Sequence, residues 1–195
     1  MFSLQDLVGQ EKGNDAVNQI GQMLGADQTT TNSAIQMALP MILSALAKNA
    51  AQPRGAESLD NALQENHNGG ILNNLDSYLN APDTNDGIGI LGHIFGQKQG
   101  AAAQHVSQNS GLDMGQVAQL MIMLAPIVMG YLGKQKQKAN LDSNGLSNLL
   151  NEKQQEIQSS DDPVMSSIAN MLDSNNDGAV MDDLASLASN YFSKR

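Results

Sequence analysis

The sequence predicts an all-α protein: a helical bundle from an internally duplicated helical unit, followed by a C-terminal helix–loop–helix of the EF-hand type. Three observations predict it. No stretch alternates β-branched residues with a period of two, so no sheet is expected. Gly25–Lys48 aligns on Gly111–Lys134 without a gap. An Asp-rich segment near the C-terminus has the spacing of a calcium loop.

The repeat is read from its punctuation. Gly25, Asp27, Met37, Pro40, Leu46 and Lys48 meet Gly111, Asp113, Met123, Pro126, Leu132 and Lys134. In each copy a Gly suits the end of one helix, and the Asp two residues later suits the N-cap of the next. A long apolar helix follows with Pro at the same interior position, where the lost donor and the ring clash predict a kink. Upstream, Ile20 and Gln22 match Val106 and Gln108. Each copy is thus a polar helix, a tight turn and a kinked apolar helix, and the two kinked helices are expected to pair as the core.

The predicted helices span 3–9, 13–24, 28–48, 55–65, 70–79, 87–96, 99–109, 114–137, 144–157, 162–172 and 181–192. Breakers separate them, among them Gln52-Pro53-Arg54-Gly55, 66–69 and 81–86. The expected organisation is a duplicated domain over 1–160, with copies about 13–80 and 99–157, and a C-terminal hairpin over 161–195 on the same domain.

Composition narrows the chemistry. With no Trp, three Tyr, three Phe and eleven Met, the core falls to Leu, Ile, Met, Val and Ala. A net charge of −10 repels phosphate backbones, so no nucleic-acid partner is expected. The absence of Cys removes thiolate chemistry and Cys-based metal sites. The basic Lys134, Lys136 and Lys138 suit a helix C-terminus. Leu120–Gly133 is apolar over 14 residues, short of the roughly 20 a membrane span needs, and reads as a core helix. The N-terminus shows no basic region and no sustained apolar stretch, so a cytoplasmic location is expected.

The Asp-rich segment runs from Asp173 to Leu184. Asp173, Asn175 and Asp177 fall at the first, third and fifth positions of a calcium loop, Gly178 at the turn, and the Ala179 carbonyl at the seventh. The twelfth position, ordinarily a bidentate Glu, is Leu184, and Asp183 takes over the closing role if the loop is one residue shorter. The expected metal ligands are therefore Asp173, Asn175, Asp177, Ala179 and Asp183, with a calcium affinity on the order of 10⁻⁴ to 10⁻³ M. The alternative is an Asx-rich turn in which Asp182 caps the last helix.

Asp86-Gly87-Ile88-Gly89-Ile90-Leu91-Gly92 contains a Gly-x-Gly-x-x-Gly, but no buried strand precedes it, which excludes a dinucleotide loop. It reads instead as a helix capped by Asp83 or Asp86, whose glycines allow close packing. His93 on this segment is expected to be buried and bonded to a backbone carbonyl, since a metal site with Asp83 or Asp86 lacks standard ligand spacing. His67 and His105, in polar surroundings, are expected to be solvated. No His-x-x-x-His pair, nucleophile elbow or P-loop occurs.

Asp86-Gly87 followed by Ile90-Leu91-Gly92-His93-Ile94-Phe95-Gly96 resembles the signature of the bacterial domain-of-unknown-function family 937. The Pro40 helix and the Asp173–Asp183 segment are similar to members of that family, which commonly carry Asp where this chain has Asn175. The resemblance implies a helical bacterial protein and supplies no activity or catalytic residue.

No enzymatic activity is expected. The first functional reading is an interaction or scaffold protein, partnered by another protein or by itself, with a calcium-responsive hairpin. The alternative is a binding protein for a small apolar or lipid ligand, held where two Met-rich helices part.

Overall fold

Glycine and aspartate set where the helices stop and start in the computed structural model, which describes residues 3–158. Among the described residues the order is α1 (Leu4–Val8), α2 (Gln10–Leu24), α3 (Gln28–Ala50), α4 (Pro53–Glu65), a 3-10 turn (Gly70–Leu72), α5 (Leu75–Asn80), α6 (Thr84–Phe95), a second 3-10 turn (Gly96–Lys98), α7 (Gln99–Ser110), α8 (Met114–Ala139) and α9 (Ser143–Gln158). No strand occurs among them.

The two helix–turn–helix units use the same devices. Gly25 ends α2 at φ 66° and Gly111 ends α7 at φ 88°, both left-handed and natural to glycine. Asp27 then accepts from the Thr30 amide at 3.0 Å, and Asp113 from the Gln116 amide at 2.9 Å. Each carboxylate satisfies a donor that the first turn leaves without a partner. Those two bonds to Thr30, from its amide and its hydroxyl, hold the Asp27 carboxyl below the ordinary range. Gln116 completes a capping box by accepting from the Asp113 amide. Its side-chain nitrogen donates to the Leu24 carbonyl at 2.8 Å, tying the start of α8 to the end of α2.

The apolar helices α3 and α8 form the centre. Each continues through its proline, Pro40 or Pro126. Their middle turns are buried on all faces: Leu39, Met41, Ile42 and Leu43 on α3, and Leu124, Ile127, Val128 and Leu132 on α8. The two pack on each other and gather the shorter helices, α7 and α9 on α3 and α6 on α8. By length and composition α8 could cross a membrane, but 67% of its most apolar window is buried inside the fold. That burial is the core role expected of Leu120–Gly133. Lys136 and Lys138 occupy its last turn, and Lys136 pairs with Asp60 of α4.

Two expectations about helices are corrected. The helix expected over 70–79 is a 3-10 turn and a separate α5. Gly69, at φ 94°, lies against α8 at Lys134 and the Gly130 carbonyl, so the chain must follow that surface before it can coil again. The glycines of α6 do not all serve packing. Gly87 lies against the Ile122 carbonyl of α8, whereas a side chain at Gly89 or Gly92 would meet nothing within 4 Å. The expected hairpin over 161–195, with its calcium ligands Asp173, Asn175, Asp177, Ala179 and Asp183, lies outside the described residues.

Candidate functional site

The turn after α3 builds one wall of a cavity. Gly55, in the first turn of α4, sits against the Asn49 carbonyl so closely that a side chain there would collide with it. This contact folds α4 back along α3 and presents Gly55, Ser58, Leu59 and Ala62 as one helical face. Asp86, Gly89, Ile90, His93 and Ile94 follow the same spacing on α6 and form the opposite wall. Leu46 and Asn49 of α3 and Met129 of α8 close the floor. The cavity is partly open to solvent and has a volume of about 420 Å³.

The buried part of the lining is apolar: Leu46 and Met129 of the floor and Leu59 and Ile94 of the walls. Asn49 secures it, donating from Nδ2 to the Ile94 carbonyl at 3.1 Å near the end of α6, where backbone acceptors lose their helical donors.

The polar side is built around Asp86 and His67. Asp83 is the N-cap of α6, accepting from the Asn85 and Asp86 amides at 3.1 and 3.2 Å. That leaves the Asp86 carboxylate for the cavity, where Oδ1 lies 3.4 Å from His67 Nε2. The His67 side chain is 10% exposed and that of Asp86 35% exposed. His67 is therefore not the solvated residue its neighbours suggest. Its backbone carbonyl lies over Gly133 of α8, where a side chain would displace it, and an Ile71 methyl lies over Gly130. Gln137 fixes the same loop by donating to the Asn68 carbonyl at 2.9 Å. Two glycines one turn apart in an otherwise apolar helix were the available signal for this approach.

The other histidines depart from expectation too. His93 is exposed at the cavity edge instead of buried on a carbonyl. It stands two turns along α6 from Asp86, and no group of three metal-ligating side chains is found among the described residues. His105 is half-buried, with Nε2 enclosed and without a hydrogen-bond partner, and not solvated.

Beside the cavity, Tyr78 of α5 donates from its hydroxyl to the Met123 carbonyl at 3.1 Å. Burial pushes its phenol well above the ordinary tyrosine range, and the negative Asp86 and Asp83 add to the shift.

The comparisons with known proteins place the cavity within a family segment. The model of a family described as bacterial protein of unknown function (DUF937) matches residues 6–135, about two thirds of the chain. Every residue that lines the cavity falls inside that span, whereas 173–183 does not. No curated protein and no solved structure matches the chain.

Proposed function

We propose that this chain, which belongs to the DUF937 family of bacterial proteins of unknown function, is a non-enzymatic helical binding protein that takes the apolar part of a small ligand into the cavity between α3, α4, α6 and α8. The observation that carries this is the cavity itself. Its volume of about 420 Å³ falls in the range of small-molecule sites, roughly 300 to 1,000 Å³. Its lining combines buried aliphatic side chains with the paired Asp86 and His67, the combination such sites use to join affinity with orientation. Ser58 and His67 share the cavity, but no hydrogen bond joins them to make a nucleophile and base. The scaffold reading rests on the duplication, the lack of catalytic motifs and the Asp-rich loop; the cavity favours the ligand-binding alternative.

Two finer readings accompany it. The shared Gly, Asp and Pro positions of α2–α3 and α7–α8 support descent from one duplicated unit. The loop residues Asp173, Asn175, Asp177, Ala179 and Asp183 support a weak calcium site.

Gly89 supplies the test. It borders the cavity, and a side chain there meets nothing within 4 Å. Gly89→Leu should therefore fold at least as well as the wild type, because a helical Gly costs roughly 1 kcal/mol against residues with side chains. Native mass spectrometry of gently purified full chain should show a bound small molecule, or retention of added octan-1-ol, that Gly89→Leu loses. A clean unliganded mass with no retention of the alcohol overturns the proposal.

A further inference from the structure

The cavity's polar groups also select what kind of head the ligand carries, an inference that rests on the ligand-binding reading above. Among the described residues that line the cavity there is no Lys and no Arg. The one carboxylate among them is that of Asp86. His67 Nε2 lies 3.4 Å from one Asp86 carboxylate oxygen, Oδ1. Asp86 retains its second oxygen, and an ionised carboxylate only accepts. The formal charge of the whole chain is −10, which favours cations over anions in general.

We infer that the cavity takes an amphiphile with a cationic, hydrogen-donating head, an aliphatic amine as a chemical class, with the ammonium at Asp86 and the chain against Leu46, Leu59 and Met129. A fatty acid has the right body and the wrong head. Its carboxylate would face Asp86 without an Arg or Lys among the lining residues to offset the repulsion. An alcohol of the same length is the neutral reference, because it can donate one hydrogen bond but brings no charge.

The experiment titrates the full chain with octan-1-amine, octan-1-ol and octanoate at neutral pH and moderate salt, by calorimetry. The amine should bind about tenfold more tightly than the alcohol, and octanoate should bind most weakly. Asp86→Asn, close in shape, should remove about tenfold of the amine's advantage and leave the alcohol unchanged. Gly89→Leu should abolish binding of all three. Alcohol binding with octanoate equal to or stronger than the amine overturns the inference and leaves the cavity reading standing. If none of the three binds, both fall. Undiminished amine binding to Gly89→Leu reports attraction to the acidic surface alone and overturns the site.

Discussion

Gly87 lies against the carbonyl of Ile122, the acceptor whose helical donor Pro126 removes one turn further along α8. The proline leaves that carbonyl without a backbone N–H, and the close approach of α6 covers it. The proline site and the helix crossing are thus one arrangement, and it holds the wall that carries Asp86 and His93.

Glycine substitutions along α6 should therefore differ in sign. Gly87→Ala forces a methyl group into the Ile122 carbonyl and should cost about 1–3 kcal/mol, the usual range for overpacking. Gly92→Ala enters open space and should gain up to about 1 kcal/mol from helix propensity alone. Urea denaturation of both variants measures the pair. Stabilisation by Gly87→Ala would show that α6 does not sit on α8 in this way.

Tyr78 makes stability fall at high pH. Its folded-state value is raised by burial and by the neighbouring Asp86 and Asp83. The native state therefore holds the phenolic proton more tightly than the unfolded chain. The resulting stability is fully present below the ordinary tyrosine range and is lost as pH rises through and above it. Tyr78→Phe should lose about 1 kcal/mol at neutral pH with the bond to the Met123 carbonyl. It should also show a shallower decline in alkaline melts than the wild type. Parallel alkaline declines in the two proteins would contradict this account.

Calcium should stabilise the full chain weakly through the Asp173–Asp183 loop. Millimolar calcium is roughly one to ten times the expected dissociation constant, which adds about 0.4–1.4 kcal/mol when only the folded state binds. Thermal melts in millimolar calcium should therefore rise, and Asp173→Asn combined with Asp177→Asn should remove the rise. Melts unmoved by calcium, with no heat on titration, favour the Asx-rich turn.

Helix ends were readable because single residues decide them. Gly25 and Gly111 take the left-handed conformation their position demands, and Asp27 and Asp113 accept from the amides their spacing implies. The cavity was not readable, because it depends on which faces meet. Nothing near His67 in sequence places its carbonyl on Gly133, 66 residues later. His93 misled for the opposite reason: its apolar neighbours Leu91 and Ile94 are buried, yet the helical period turns His93 outward. The choice between Asp83 and Asp86 as the cap was also open in sequence, and it decides which carboxylate the cavity receives.

The bond from Gln116 to the Leu24 carbonyl spans 92 residues and sets a timetable for a chain growing on the ribosome. At roughly 5–20 residues per second, its two ends are synthesised about 5–20 s apart. During that interval α2 and α3 have emerged without the later helices that bury Ile35, Leu39 and Ile42. The apolar faces of the nascent N-terminal half therefore wait without the helices that cover them in the native fold.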